Sequence, residues 1–475
     1  MRFLLLLCVM ALLAVTGCED DESFSVSQSD RLWFTSDTVK MDTLFSAVPS
    51  TTKSFWVHNP NKKGLRCTSV RLERGNQSGF RVNVDGVYLS KDAGYKIGDV
   101  EIRKGDSLRV FVELTSSTNG MDVPKLVEDN LTFILESGIQ QKVNLNAWSW
   151  DALKYTDVHI SKDTTLTGEK PIIVYGKLTV EPTATLTLAA GTTLYFHHEG
   201  GIDVYGRLLC KGEQGNEVIL RGDRLDWMFD YLPYDLMSGL WSGIRFHESS
   251  YDNVMEFTDL HSPFDGIVCD SANLNKQKLT LNNMTVHNCQ GTGLRVVNSK
   301  LTAVNCQFTN TLKGCVDIEG GSVDMNHCTL AQFYPFDSNR GPALKFCSTE
   351  TMPLRLSCVN SIVTGFAEDL VMGSTEGKEE DFDYHFESCI LRTPKVEDPE
   401  RMIDVAFEDV EDTASVQGDK HFMLVSHDTQ HYDFRLSEKS TAIDKGNKSY
   451  PVSNDREGNL RDELPDIGCF ERVKQ

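Results

Sequence analysis

Between Leu279 and Leu330 short apolar pairs recur, each bracketing one polar residue. The first copy holds Leu279/Leu281, Met284/Val286 and Leu294/Val296. A shift of 22 residues lands on Leu301/Ala303, Cys306/Phe308 and Val316/Ile318, and a second shift on Val323/Met325 and Cys328/Leu330. Alternation with period two marks a strand with one buried face. Three strands per copy, returning at a fixed interval, describe one turn of a solenoid. The pattern predicts a right-handed parallel β-helix, in which each strand pairs with its equivalent one turn on.

Extended forward, the spacing stretches to 28 residues from Val316 to Leu344 and to 31 from Val323 to Leu354. The added residues fall in 334–342 and 347–353 and are expected to be loops on the flank. Toward the N-terminus, Val174-Tyr175-Gly176 is echoed 30 residues later by Val204-Tyr205-Gly206, which reads as the opening turns. About nine turns fit between 156 and 395, a stack of roughly 43 Å. Asn288, Asn310 and Gln332 follow the second strand in successive copies and are expected to cap its turn and bond along the stack.

Residues 24–150 pattern differently. Segments such as Ser54-Phe55-Trp56-Val57, Phe80-Arg81-Val82-Asn83-Val84 and Leu108-Arg109-Val110-Phe111-Val112 are separated by Asn/Gly/Pro-rich turns. This predicts a small antiparallel β-sandwich. The fold class expected is therefore all-β: a sandwich over 24–150, a parallel β-helix over 156–395, and a C-terminal extension and cap over 396–475.

Composition adds an address. Net charge is −22 and the pI about 5.0, which argues against nucleic acid as a partner. Arg2 precedes an apolar run from Phe3 to Val15, too short to span a bilayer as a mature helix. The run ends in Val15-Thr16-Gly17-Cys18, which resembles a bacterial lipobox. That resemblance implies a signal peptide over 1–17, lipid on Cys18 and attachment to the outer membrane. Glu19-Asp20-Asp21-Glu22, in the linker 18–23, resembles the acidic export tag of lipoproteins in Bacteroidetes-type bacteria, implying display on the cell exterior. Eleven cysteines remain after Cys8 and Cys18, without Cys-x-x-Cys or zinc-like spacing. Cys306 and Cys328 share one slot of successive turns, so buried thiols are favoured over disulfides across turns.

Two further resemblances concern domains. Phe55-Trp56-Val57-His58-Asn59 with Phe80-Arg81-Val82 is similar to immunoglobulin-like domains of the Hydin-related kind, implying a spacer. Asp433-Phe434-Arg435-Leu436, Ala442-Ile443-Asp444-Lys445-Gly446, Asp455-Arg456-Glu457-Gly458 and Asp466-Ile467-Gly468-Cys469-Phe470-Glu471 resemble the C-terminal segment of pectate-lyase-like surface proteins of the choice-of-anchor Q type. The resemblance implies closure of the helix. Asp444, Asp455, Arg461 and Asp466 are the candidates to tie that cap by charge-assisted bonds, with metal binding as the alternative.

Candidate chemistry lies outside the regular repeat. The third strand presents Arg245, Arg295, Asp317 and Lys345 outward, one per turn, with Val268 between the first two. This row is the candidate face for an anionic glycan; the alternative is a solvated surface of ion pairs. Residues 223–241 form the most aromatic window, and Trp227 and Tyr231 are candidates to stack on a sugar, against the alternative of a flap packed on the helix. Calcium is considered between Asp265 and Asp270 near Arg295. No cofactor is required. Arg392-Thr393-Pro394 resembles the Arg-x-Pro of pectate lyases without the arginine expected after it. His287 and His327 occupy different register positions, which argues against a paired metal site. The leading functional expectation is a surface lipoprotein that binds carbohydrate. Its alternatives are a polysaccharide lyase or glycoside hydrolase, and a non-enzymatic adhesin or scaffold.

Overall fold

The computed structural model describes residues 23–473 except 230 and 413, so Cys18 and the signal and export residues lie outside it. The chain divides into two compact units at Trp150/Asp151. The first is a β-sandwich. One sheet contains Trp33–Phe34, Lys53–His58, Ser107–Leu114, Phe80–Val84 and Val87–Tyr88. The other is built on Thr38–Phe45, Gln140–Trp150, Lys125–Leu135 and Leu65–Leu72. Its pairs are antiparallel except Thr38–Phe45 with Gln140–Trp150, which is parallel. Alternating side chains such as Leu108, Val110, Val112 and Leu114 fill the space between the sheets.

The second unit is a parallel β-helix with three ladders. The first ladder has ten strands, from Thr164–Leu166 to Met402–Ile403. The second ladder includes Thr285–Cys289, Gln307–Thr311 and Thr329–Gln332, and the third Thr292–Val297, Gly314–Glu319 and Leu344–Ser348. The 22-residue register holds residue by residue: Leu279 faces Leu301, which faces Val323, and Val286 faces Phe308, which faces Leu330. The inward residues form one continuous core.

The structure departs from the expected register in three places. Val323 pairs with Leu356, not Leu354, which faces Gly321. A slip of two residues keeps the same face inward, so alternation alone does not detect it. The Val174-Tyr175-Gly176 echo is not a register either: Leu178 pairs with Ile202, and Leu186 with Leu208. The helix also begins earlier and ends later than 156–395, from Leu153–Ile160 to Ala406–Phe407, because the last strands are two residues long and leave no pattern.

The corner between the first and second ladders carries the stack of polar side chains. Asn283, Asn305, His327, Asn360 and Ser388 each follow a first-ladder strand and have φ between 48° and 53°. Asparagine tolerates this left-handed conformation better than most residues. Asn305 Nδ2 donates to Asn283 Oδ1 at 3.1 Å, and Asn360 Nδ2 lies 3.1 Å from His327 Nε2. Burial, with the Arg461 guanidinium nearby, pushes His327 down to about 3, so it serves as a neutral acceptor. The expected ladder of Asn288, Asn310 and Gln332 is corrected in part. Asn288 and Asn310 do turn the next corner with positive φ, but Asn310 Oδ1 is buried without a partner and Gln332 Nε2 donates to the Thr311 carbonyl at 2.6 Å. The eleven cysteines are free thiols, all buried except the half-buried Cys347.

The C-terminal segment covers the flank of the solenoid. Its hairpin, Phe422–Ser426 with His431–Leu436, and its last residues pack sideways on the second ladder. Phe422, Phe434, Leu436, Ile467, Cys469 and Phe470 cover Ala331, Phe333, Ile362 and Ile390. The segment then runs back along the stack: Gly468 N bonds the Asn360 carbonyl, Cys469 N the Thr329 hydroxyl, and Arg456 Nε the Thr285 hydroxyl. The outward positions Thr329, Ala331, Phe333, Ile362, Thr364 and Ile390 are apolar or threonine, so they need a cover that a polar flank would not.

Candidate functional site

The flank left beside that cover carries a cluster of titratable groups. On the outer face of the second ladder, Tyr195 pairs with Arg221, His261 with His287, and His287 with Thr309. Leu220 faces Leu260, which sets Arg221 beside His261 on adjacent turns. The 223–241 insertion returns over this row and contributes Asp235 from the short turn Tyr234–Leu236. Asp235 Oδ1 lies 2.7 Å from Arg221 and 2.8 Å from His261 Nε2. Asp259 Oδ1 lies 2.6 Å from His261 Nδ1 and 3.5 Å from His287 Nε2. The two imidazoles stack with centroids 4.9 Å apart. Trp241, buried against Phe196, donates its indole N–H to the His261 carbonyl at 2.9 Å and so fixes the backbone there.

Electrostatics follow from this packing. His261 has only 8% of its side chain exposed. Burial alone would pull its pKa down, but Asp259 and Asp235 outweigh burial and hold it up at about 9. Burial would raise Asp259, yet the imidazoles hold it well below the usual carboxylate range. Asp235 is held low against burial by His261 and Arg221. Donor atoms of Asp259, His261 and His287 all lie within 4.8 Å of one another.

This network makes a pH prediction. Because His261 titrates higher folded than its ordinary 6.5, its contribution is complete below pH 6.5 and disappears as pH rises through about 9. Asp259 shifts the other way, so its share is present above its ordinary 3.8 and lost as pH falls. Denaturation of the β-helix unit between pH 6 and 10, with chelator present, should show a loss on the order of 3 kcal/mol. His261→Gln should remove that alkaline slope.

The residues expected from sequence are placed as follows. Arg245, Arg295, Asp317 and Lys345 do occupy one outward row, through Arg245–Val268–Arg295–Asp317–Lys345. Their charge is balanced by neighbours: Arg245 pairs with Asp270 at 3.0 Å, Arg295 with Glu319 at 3.5 Å and Lys345 with Asp317 at 3.8 Å. Asp270 and Glu319 stand one position beyond the strand's inward pair, so a single-register reading of the row missed them. Asp265 and Asp270 do not converge on one ion. They lie at opposite ends of Ile267–Cys269; Asp265 accepts the Thr292 amide while Asp270 bonds Arg245. Arg392 is nearly buried against Glu408 at 3.0 Å and is no candidate base.

In the insertion, Trp227–Phe229 pairs with Leu232–Pro233 as a hairpin. Trp227, Phe229 and Tyr231 are exposed, the last two at 53% and 58%, and Phe229 stacks on Tyr231 at 5.8 Å. The insertion is therefore anchored at Leu232 and Trp241 and bare at its tip.

In the C-terminal segment Arg461 pairs with Glu471 at 3.0 Å, not with the three aspartates. Arg461 also donates to the carbonyls of Asp466 and Gly468 and to Asn305 Oδ1. Asp466 accepts the amides of Asp444 and Arg472, and Asp455 those of Glu457, Asn459 and Glu471. Asp455, Arg461 and Asp466 are joined through Glu471, with Asp455 and Asp466 accepting backbone N–H groups, and Asp444 joins them through its own amide.

Arg221, Asp235, Asp259 and His261 were not singled out from sequence. Their sequence signal is a 26-residue return from Leu260 to Val286, which carries His261 onto His287.

Fold and flank together define an all-β chain whose second unit is a parallel β-helix with a charged strip beside an aromatic hairpin. No protein-family model matches the sequence, and no curated protein matches it. Solved structures similar to parts of the chain include pectate lyase Pel9A, at 12% identity over 68% of this chain and 97% of that one, TM-score 0.35. The catalytic unit of a GH87 α-1,3-glucanase from Streptomyces thermodiastaticus is similar at 10% identity over 71% of this chain and 70% of that one, TM-score 0.26. A protein of unknown function from Porphyromonas gingivalis W83 matches at 12% identity over 28% of this chain, TM-score 0.20, and the match spans about half, 51%, of its length.

Proposed function

We propose that this protein is a surface-exposed lipoprotein, anchored through Cys18, whose β-helix binds carbohydrate at the aromatic hairpin. The observation that carries the reading is the bare tip of that hairpin, where Trp227, Phe229 and Tyr231 face solvent while its foot is locked into the Arg221–Asp235–His261 network. Exposed aromatic faces suit a sugar ring, which presents an apolar face to stack on them. Hydrolysis by paired carboxylates needs one of them protonated. Asp235 and Asp259 are both held low, which favours binding over that chemistry.

The test is calorimetry and tryptophan fluorescence of the full chain against neutral and acidic oligosaccharides. Trp227→Ala with Tyr231→Ala should weaken binding at least tenfold. Arg295→Ala with Lys345→Ala should change it less than twofold, because those charges are already balanced. Unchanged binding in the aromatic double variant would sink the assignment.

A further inference from the structure

We propose that Asp259, His261 and His287 form a binding site for a divalent first-row transition ion such as zinc. This goes beyond the carbohydrate reading and does not depend on it. Two imidazoles and one carboxylate are the donor set these ions favour, and calcium, which takes six to eight oxygens, does not. A cation held at about 2.1 Å by each donor requires donor atoms roughly 3.0–3.4 Å apart. The observed separations from Asp259 Oδ1 are 2.6 Å to His261 Nδ1 and 3.5 Å to His287 Nε2, and one donor atom from each of the three residues lies within 4.8 Å of the others.

The scaffold holds the donors in place. His261 and His287 face each other on adjacent turns of one ladder, and Asp259 lies two residues before His261 on the same strand and face. Their strands are paired on both sides, so the spacing of the donors is set by the spacing of the ladder. A ligating histidine ordinarily donates its other nitrogen to a carboxylate, which fixes ring and tautomer. Asp235 occupies that position at 2.8 Å from His261 Nε2, itself held by Arg221. The ion takes the place of the proton on His261 Nδ1, which leaves to solvent. Three protein ligands leave at least one coordination position for water or an exogenous oxygen. Asp259 and His287, at 31% and 23% exposure, are open on that side.

The experiment is a zinc titration of the chelator-treated full chain by calorimetry, with cobalt absorption as a second readout and the zinc-induced shift in melting temperature as a third. About one equivalent should bind, with a visible cobalt spectrum. His287→Gln and Asp259→Asn should each weaken binding at least a hundredfold, and Asp235→Asn ten- to a hundredfold. His198→Ala, at an exposed histidine elsewhere, should bind as the parent does. Each variant's melting curve without metal shows that it is folded. Absence of stoichiometric zinc binding overturns the proposal. So does binding that survives His287→Gln, or calcium binding at these residues in place of zinc.

Discussion

Arg461→Ala will destabilise the β-helix unit by about 3–5 kcal/mol and loosen its C-terminal segment. The guanidinium is 3% exposed and its partner Glu471 6%. Burial pulls the Arg461 pKa down and pushes the Glu471 pKa up, so each partner is drawn toward its neutral form and the pair adds little by itself. The loss comes from what the substitution leaves behind. Glu471 becomes a buried charge without its cation, and the carbonyls of Asp466 and Gly468 and the side chain of Asn305 lose a donor. Glu471→Gln should cost less, because a neutral amide still accepts the Asp466 amide now held by Oε2. Chemical denaturation gives the magnitude, and limited proteolysis reads the release of the segment. Equal losses in the two variants would refute this ordering.

Phe308→Ala will cost a similar 3–5 kcal/mol, by opening a cavity in the middle of the stack. Phe308 is fully buried, with Val286 above and Leu330 below in the second ladder. Strands paired on both sides cannot collapse into the space. In a solenoid each turn is stabilised through its neighbours, so hydrogen exchange should rise most in 279–332 and little in 164–204. Uniform acceleration across the unit would show that the stack melts as a single block.

The legible part of this fold was the part where sequence spacing equals structural spacing. From Leu279 to Leu330 no insertion intervenes, and Leu279–Leu301–Val323, Leu281–Ala303–Met325, Val286–Phe308–Leu330 and Leu294–Val316 all pair as the spacing predicts. Alternation reports which face a residue is on and nothing about translation by two, hence the slip at Leu354/Leu356. The row from Arg245 to Lys345 was legible as a row, because it follows the inward pairs. The counter-charges of Arg245 and Arg295 were not, since Asp270 and Glu319 stand just past them. The Asp259–His261–His287 cluster follows a 26-residue return, outside the 22-residue spacing that the regular turns set. Its partner Asp235 comes from an insertion, and no periodicity says where an insertion lands. Glu408 is a similar case. It binds Thr364, Arg392, Gly418 and His421 from a stretch with no repeat.

The sideways C-terminal segment bears on the order in which this chain can be completed. Turns of a β-helix can add to the preceding turn as synthesis proceeds from the N-terminus. The patch of Ala331, Ile362 and Ile390 cannot be finished that way, because its cover includes Ile467 and Phe470. Nearly the whole polypeptide must emerge before this apolar strip is shielded. A chain arrested before residue 418 would hold correctly paired turns and still expose a sticky edge, so the last residues act as a late lock on an otherwise sequential assembly.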